Sequence, residues 1–261
     1  MSPVRGVVPL ETVELTRYHR QINLKGWDLE GQERLKAATV LVVGLGGLGC
    51  TVAQQLALAG VGQLILLDGD RVELSNLARQ VLHEQSRIGH YKVNSAAEAL
   101  ARLNPHVQLT AIPEFADEVT LPDLLSGVDL VVDCCDNLAS RNLINLCCRA
   151  ALVPLVMGSA IRFEGQVAFF GWGDEEPCYG CFSRLFAEPD GSCVVNGVAG
   201  PLVSLVGSLQ ALEALKFLTG VTAPQRGSLL LVDGLSLEFE RVSLRPDPRC
   251  RVCGGKARVC A

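Results

Sequence analysis

The chain is poor in the residues on which several classes of protein depend. Only 5% of its 261 residues are aromatic, too few to line a groove that stacks single-stranded nucleic acid. Basic residues are also not in excess, because 23 Lys and Arg stand against 28 Asp and Glu, a net charge of −5. Without a basic surface the main electrostatic contribution to nucleic-acid binding is missing. We therefore expect no nucleic-acid partner.

The sequence also lacks the marks of export and of membrane insertion. Its N-terminal residues contain no long apolar run, so no secretory signal is predicted, and its 11 cysteines are odd in number, which argues against a disulfide framework. We therefore expect a reducing cytoplasm. Residues 37–67 and 191–212 are uncharged and long enough to span a membrane. Glycines interrupt both stretches, and Asn196 and Pro201 interrupt the second, so we expect buried strands and helices there.

Short apolar runs alternate with helical patterns through the first part of the chain. The pattern predicts strands at 39–43, 63–67, 107–112, 128–132 and 155–157 and helices at 50–59, 92–103 and 140–151. Such alternation is typical of a Rossmann-like, mostly parallel α/β sheet with helices on both faces. Further along, the pattern predicts antiparallel strands at 166–172 and 228–232 and a long helix at 202–219. The expected fold is therefore a parallel sheet that continues into an antiparallel C-terminal part.

A glycine-rich turn follows the first predicted strand. Residues 44–49, Gly-Leu-Gly-Gly-Leu-Gly, fit the pattern G-x-G-x-x-G between a strand and a helix. Gly44 permits the tight turn, and Gly46 and Gly47 let the backbone approach a phosphate at the helix N-terminus. Asp68 follows the next strand, where a carboxylate can bind ribose hydroxyls. The pattern predicts a nucleotide site, with a glycine turn for close helix packing as the alternative.

The residues after Asp68 favour a triphosphate over a dinucleotide. Asn76, Arg79 and Lys92 supply the polar and cationic groups that phosphates require, whereas no residue pattern for handling a hydride is found. Asp133 and Asp136 follow another strand and suit Mg²⁺, which is usually bound by one or two carboxylates plus phosphate oxygens. Because parallel strands end at one edge, we expect these side chains to converge there.

Four cysteines form two C-x-x-C units. Cys178 and Cys181 make the first and Cys250 and Cys253 the second, with 68 residues between the units. Two such turns can close a tetrahedral zinc site, and since no coordination position stays open the metal would be structural. It would tie the C-terminal part of the chain to the sheet. A redox dithiol in one unit, or two unrelated pairs, are the alternatives.

These motifs together resemble the MoeB/ThiF/HesA family of ubiquitin-activating-like adenylyltransferases, and most of all its MoeB branch. The resemblance covers residues 15–253 and is carried by the runs RYHRQINLKGWDLEGQERLKAATVLVVGLGGLGC, LLDGDRVELSNLARQ, IGHYKV, VVDCCDNLASRNLIN and EPCYGC. It implies a single ThiF-type domain over 15–261 behind a flexible leader, residues 1–14. The nucleotide-binding part would cover about 38–158, and a carrier-binding and zinc part about 159–261.

The resemblance also implies a reaction and partners. ATP would react with the C-terminal Gly-Gly carboxylate of a ubiquitin-fold sulfur carrier, giving an acyl-adenylate and pyrophosphate. A MoaD-like carrier would place the reaction in molybdenum cofactor biosynthesis, and a ThiS-like carrier would place the same chemistry in thiamine biosynthesis. Implied partners are a second copy of the chain in a homodimer and, since no sulfurtransferase domain follows Cys253, a separate sulfurtransferase.

Site roles follow from the same resemblance. The implied catalytic residues are Arg20, which would reach the phosphates bound by the partner subunit, and Arg79, Lys92 and Asp136. The implied contacts to ATP and Mg²⁺ are Gly44, Gly46, Gly47, Asp68, Asp70, Ser75, Asn76, Leu77, Ala78, Arg79, Lys92, Asp136 and Asn137. Cys193 stands where some relatives carry a cysteine that forms covalent intermediates, and we expect it to be a bystander here because no basic residue is near it in sequence.

Two readings outside this chemistry stay open from the residues alone. A NAD-binding oxidoreductase or sensor would use the glycine turn and Asp68 on the same fold. A non-catalytic, zinc-bound scaffold would bind the carrier through the sheet and the C-terminal tail without turning over ATP.

Overall fold

One mixed sheet organises the computed structural model, which describes residues 6–173, 176–183 and 197–254. Its strands are β1 Thr39–Val43, β2 Gln63–Leu67, β3 Gln108–Ile112, β4 Leu130–Asp133, β5 Leu155–Ile161, β6 Glu164–Phe170, β7 Ser228–Asp233 and β8 Glu238–Ser243. They lie in the order β3-β2-β1-β4-β5-β6-β7-β8. Strands β1 to β5 pair in parallel, and β6, β7 and β8 are added antiparallel. The predicted change from a parallel to an antiparallel sheet is confirmed.

Helices cover both faces of this sheet. They are α1 Thr12–Ile22, α2 Asp28–Ala37, α3 Gly47–Ala59, α4 Lys92–Leu103, α5 Thr120–Leu124, α6 Leu138–Ala151, α7 Tyr179–Ser183 and α8 Gly200–Thr219. Successive strand residues point to opposite faces, so Val40 and Val42 join one core while Leu41 and Val43 join the other. The first core packs α2, α3, α4 and α8, and the second packs α5, α6 and α7.

Helix α8 accounts for most of the second uncharged stretch. It is long and apolar enough to cross a membrane, with a mean hydropathy of 1.3, and half of it is buried inside the molecule. The absence of a side chain at Gly207 allows it to pack closely on α3, since a Cβ there would lie 2.9 Å from the Leu48 carbonyl oxygen and from Thr51. Tertiary packing explains why this helix carries so few charges.

The N-terminal helix begins inside the segment predicted as a leader. Helix α1 starts at Thr12 behind a capping box formed by Glu11 and Glu14. The carboxylate of Glu14 is buried and accepts a hydrogen bond from Lys36 Nζ over 2.6 Å. This ion pair ties α1 to α2. Helix α1 thus begins three residues before the boundary expected at Leu15.

The C-terminal edge strand β8 has no counterpart among the strands predicted from the sequence. All of its residues are exposed, and among the strands of the described residues it pairs with β7 alone. A strand at the edge of a sheet buries little apolar surface, so apolar and polar residues alternate only weakly along its sequence. The backbone hydrogen bonds with β7 therefore determine its conformation.

The close approach at Gly49 makes a testable prediction about the glycine turn. A Cβ at Gly49 would lie 1.8 Å from the Gly44 carbonyl oxygen, whereas a Cβ at Gly46 would meet only the Gln80 amide at 3.8 Å. We expect Gly49→Ala to lower the free energy of unfolding by about 1–3 kcal/mol or more, as measured by denaturant unfolding. Gly46→Ala, the control, should unfold like the wild type, and equal stability of the two variants would contradict the packing.

Candidate active site and metal centre

A crevice of about 370 Å³ opens at the carboxyl edge of the parallel strands. This volume lies in the range of small-molecule sites, and the edge where parallel strands end is the usual place for a nucleotide. The predicted residues that line it are Gly44, Gly46, Gly47, Asp68, Asp70, Asn76, Arg79, Lys92, Asp136 and Asn137. The expected convergence is thus present in the fold.

The carboxylate of Asp68 holds the glycine turn in place. Its two oxygens accept hydrogen bonds from the backbone N–H groups of Leu45, over 2.6 Å, and of Asp70, over 2.7 Å. An ionised carboxylate has about four acceptor positions, so Asp68 keeps capacity for a ribose hydroxyl while it orders the turn. The side chain links the end of β1 to the end of β2.

A buried histidine supports the same turn from the other side. His83 Nε2 lies 3.1 Å from the Leu45 carbonyl oxygen, and its Nδ1 lies 3.0 Å from Ser95 Oγ. Cys50 Sγ also donates to the Leu45 carbonyl, over 3.3 Å. Burial lowers the pKa of His83, which favours the neutral ring. Both backbone polar groups of Leu45 are therefore held, which leaves the glycine turn little freedom.

Cationic and amide groups lie opposite the glycine turn. Lys92 begins α4, is almost fully buried, and contacts Asp70 Oδ2 over 2.7 Å, while more than half of the Asp70 side chain is exposed. Arg79 donates one hydrogen bond to the Ser75 carbonyl over 3.2 Å, and its planar guanidinium carries further donors. Asn76 is fixed by a hydrogen bond from the Glu73 N–H to its side-chain oxygen. Arg79 and Lys92 therefore bring two cationic groups to this side of the crevice, beside the carboxylates of Asp70 and Glu73.

Five of the predicted residues do not line the crevice: Arg20, Ser75, Leu77, Ala78 and Asp133. Ser75, Leu77 and Ala78 belong to the same segment as Asn76 and Arg79, but their side chains lie outside it. Arg20 is exposed on α1, whose neighbouring Gln21 donates to the Ala59 carbonyl at the end of α3.

The position of α1 separates Arg20 from the crevice of its own chain. Helix α3 begins at Gly47 in the crevice and ends at Ala59, and an α-helix of that length spans about 20 Å. Tyr18 packs on Gly60, just beyond that far end. Arg20 therefore lies on a different part of the surface from the crevice that its own subunit forms.

The structure corrects the prediction that Asp133 helps to bind magnesium. Asp133 is the last residue of β4, is 1% exposed, and accepts the Cys135 N–H over 2.9 Å. Burial raises the pKa of its carboxyl. Asp136, three residues further, does line the crevice, beside Asn137, which caps α6 through a hydrogen bond from the Ser140 N–H. Only Asp136 of the two is placed to hold a cation there.

The thiols of Cys134 and Cys135, which follow Asp133 in the chain, are not activated nucleophiles. Burial and the charge of Asp133 raise the pKa values of Cys134 and Cys135 well above the ordinary range. A protonated, buried thiol is a poor nucleophile. Cys193, which relatives suggested for covalent chemistry, lies outside the described residues.

Two residues that sequence reasoning missed also line the crevice. Gln80 ends the S-N-L-x-R-Q motif, and its buried Oε1 has no hydrogen-bond partner among the described residues. Phe115 is 67% exposed and lies against Gly69, where a Cβ would be 2.7 Å from its ring. The motif contained a signal for Gln80, whereas Phe115 stands in a loop after β3 that carries none.

The four predicted metal ligands form one cluster. Their sulfur atoms all lie within 4.8 Å of one another. The Sγ–Sγ distance is 3.6 Å from Cys178 to Cys250 and 3.2 Å from Cys181 to Cys253. Both are far longer than a disulfide bond and near the edge of about 3.8 Å expected for a tetrahedron of thiolates around zinc. Hydrogen bonds from neighbouring thiols lower the pKa of Cys178 to about 5. The alternative of two unrelated pairs is wrong.

A Rossmann-like sheet with a glycine-turn crevice, cations around it and a four-cysteine centre defines a class of nucleotide-binding proteins. The family described as the ThiF family matches residues 18–252. The chain belongs to this family.

Similar proteins agree with that membership. The chain is 51% identical to the molybdopterin-synthase adenylyltransferase of Escherichia coli (strain K12), over 94% of this chain and 98% of that protein. It is 46% identical to the mouse (Mus musculus) adenylyltransferase and sulfurtransferase MOCS3, over 98% of this chain and 56% of that protein. The crystal structure of E. coli MccB superimposes with a TM-score of 0.79 at 22% identity, over 92% of this chain and 72% of that chain, which shows a shared fold.

The buried histidine makes a prediction about acid stability. Because the pKa of His83 is lowered in the folded state, the unfolded chain binds more protons below its ordinary pKa of about 6.5. The free energy of unfolding should be highest above that pH and fall as the pH drops toward the pKa of His83 in the folded protein. His83→Gln keeps a donor for the Leu45 carbonyl without a titrating ring, so its melting temperature should fall less between pH 7 and pH 5. The same fall in both proteins would contradict the buried neutral histidine.

Proposed function

We propose that the chain adenylates the C-terminal carboxylate of a ubiquitin-fold sulfur carrier for molybdenum cofactor biosynthesis. The observation that carries the proposal is the convergence of Arg79, Lys92 and Asp136 on the crevice of the glycine turn. They meet in a chain that is 51% identical to a molybdopterin-synthase adenylyltransferase over 94% of its length. A MoaD-like carrier is the substrate that this likeness favours, with a ThiS-like carrier as the second candidate.

The reaction makes clear why the crevice needs positive charge. An oxygen of the carrier carboxylate attacks the α-phosphorus of ATP, a C(O)O–P bond forms, and the bond from that phosphorus to the bridging oxygen breaks. Pyrophosphate leaves with the electron pair of the broken bond. Both reactants are anionic, so catalysis rests on positioning and on compensating charge. The cationic side of the crevice answers this requirement.

Each side chain has a role that follows from its position. The backbone at Gly46 and Gly47 approaches the phosphates at the N-terminus of α3, and Asp68 and Asp70 bind the ribose. Lys92 exchanges part of its contact with Asp70 for phosphate oxygens. Arg79, Asn76 and Asn137 line the crevice and would contact the nucleotide through their side chains. Ser75, Leu77 and Ala78 flank them and would contribute backbone groups only.

Asp136 would hold Mg²⁺, whose charge when bound helps to neutralise the triphosphate. A carboxylate that lines the same crevice as Arg79 and Lys92 suits an ion shared with phosphate oxygens. The four cysteines Cys178, Cys181, Cys250 and Cys253 would hold structural zinc, because thiolates in a closed set of four are the preferred ligands of such a site.

The product requires a further reaction. An acyl-adenylate is an activated acid, so a separate sulfurtransferase would convert it to a thiocarboxylate with release of AMP. We place the sequence of steps in the cytoplasm, since no disulfide joins the cysteines of the described part of the chain and reduced thiols persist there.

Exchange of labelled pyrophosphate into ATP tests the proposed reaction. With magnesium and a MoaD-like carrier ending in Gly-Gly, we expect exchange that depends on the carrier. Lys92→Ala and Asp136→Ala should each reduce it by about 100-fold or more, as expected when a charge-stabilising group is lost. Among the described residues, the Lys92 ammonium forms an ion pair with the half-exposed Asp70 alone, so its variant should fold. Lys216→Ala, which removes a lysine paired with Glu213 on α8, is the control and should stay active.

The possible outcomes separate the alternatives. Exchange with a ThiS-like carrier alone would keep the mechanism and change the pathway. Binding of NAD without exchange in the presence of any carrier would favour the oxidoreductase reading. Carrier binding without ATP turnover would favour the scaffold.

We infer further that Arg20 acts in the crevice of a partner subunit in a homodimer. The inference is supported by the distance between α1 and the crevice of the same chain, which is set by the length of α3. An arginine supplied by a partner would add charge to the phosphates and make activity depend on dimerisation.

Mixed dimers test this arrangement. Arg20→Ala and Lys92→Ala homodimers should each be inactive. After the two are mixed and allowed to exchange subunits, a heterodimer has one intact crevice, which combines Lys92 of one chain with Arg20 of the other. Random exchange should restore about a quarter of the wild-type pyrophosphate exchange. No recovery, with heterodimers verified by differently tagged chains, would show that Arg20 does not act across the interface.

A further inference from the structure

Helix α6 extends from the nucleotide crevice to the four-cysteine centre. It begins behind Asn137 and ends at Ala151. Its first turn lies at the crevice, because Asn137 and Ser140 line it. Further along, Asn145 reaches the cysteine cluster. One rigid element therefore contacts both centres.

Arg141 lies on this helix at the crevice end and is buried. Its guanidinium donates two hydrogen bonds to the Cys135 carbonyl, over 3.2 Å from Nε and 2.5 Å from Nη2, and one to the Gly158 carbonyl over 3.0 Å. Cys135 is the residue directly before Asp136, and both line the crevice. Arg141 thus holds the backbone turn from which Asp136 projects.

The same guanidinium lies close to the first C-x-x-C unit. Tyr179, between the two cysteines of that unit, is buried and lies within electrostatic reach of Arg141. One turn further along α6, Asn145 accepts the Tyr179 N–H over 3.0 Å and donates to Cys178 Sγ over 3.6 Å. The side chains at positions 141 and 145 are neighbours on one helix face, and this face packs against the first C-x-x-C unit.

Burial makes this connection stiff. Asn145 is fully buried, and Arg141 and Tyr179 are nearly so. Arg141 and the buried Asp133 carboxyl attract each other electrostatically, and the chain continues from Asp133 directly into the Cys135 turn. Hydrogen-bonded charged groups in such an interior hold their geometry strongly, because leaving any of them unpaired is costly. A displacement at Tyr179 is therefore transmitted to the turn that carries Asp136.

We propose that Arg141 is a positioning residue that couples the metal centre to the nucleotide crevice, so that zinc occupancy and binding of Mg-ATP favour each other. The proposal rests on the proposed function, which supplies the nucleotide and the zinc. By linkage, each ligand must strengthen the binding of the other by the same factor. A purely structural zinc would leave nucleotide affinity unchanged as long as the chain stays folded.

The equilibrium transfer of zinc to a chelator that does not bind magnesium measures this coupling. With the zinc-loaded protein, a saturating non-hydrolysable Mg-ATP analogue should lower the equilibrium constant of this transfer by about 5-fold or more, at the lower end of typical couplings between sites. Tyr179→Phe removes only the Tyr179 hydroxyl, and we expect the ratio of the equilibrium constants with and without nucleotide to fall toward one. Arg141→Lys keeps the charge near Asp133 without the forked donors and should do the same.

A matched control comes from the same helix. Arg149 also donates to a backbone carbonyl, that of Trp172 over 3.0 Å, but does not line the crevice. Arg149→Lys should therefore keep the full ratio. Zinc content and thermal unfolding are measured for every variant, so that a loss of coupling is read only in chains that are folded and hold the metal.

Each outcome bears on a different claim. Calorimetry that shows no binding of Mg-ATP to the wild type contradicts the proposed function. Binding of the nucleotide without any change in zinc transfer overturns the coupling while leaving the function intact. Full coupling in both Tyr179→Phe and Arg141→Lys, or its equal loss in Arg149→Lys, overturns the role of Arg141.

Discussion

The hydrogen bonds that Asp68 accepts from Leu45 and Asp70 are the constraint on which the site depends. They join the ends of two adjacent parallel strands at the point where the backbone must leave room for phosphates. His83 holds the opposite side of the same turn. A turn fixed in this way presents helix N–H groups in a set direction, which is what binding of an anion without rearrangement requires. The cations on α4 and in the segment after β2 then face a defined target.

The nucleotide crevice lies at one edge of the sheet, and the four-cysteine cluster lies within the second core. Helix α6 lies between them, and buried polar groups on one of its faces contact both. Helix α6 thus connects two sites, whereas helix α3 separates two others, because its length keeps Arg20 away from the crevice of its own chain. Under the proposed function, these two helices would make one reaction depend both on the metal held by the four cysteines and on a second subunit.

Local sequence patterns were sufficient to predict the elements that have strong periodicity or special backbone residues. The parallel strands, the glycine turn and the four cysteines followed from β-branched runs, from glycines between a strand and a helix, and from paired C-x-x-C spacing. Asp133 misled the sequence analysis because strand β4 continues for one residue more than its apolar run, which buries the carboxylate. Phe115 and strand β8 were missed because a loop and an exposed edge carry little patterning.

The sequence by itself determined which functional side chains the chain possesses and the order in which strands, turns and helices carry them. Tertiary structure decided which of those side chains meet. It brought Lys92 and Asp136 to one crevice, placed Arg20 elsewhere, and set Arg141 and Asn145 against the first cysteine pair. The physical reason is that contacts between residues far apart in sequence depend on how the two cores pack against the sheet, and local periodicity contains no measure of that distance.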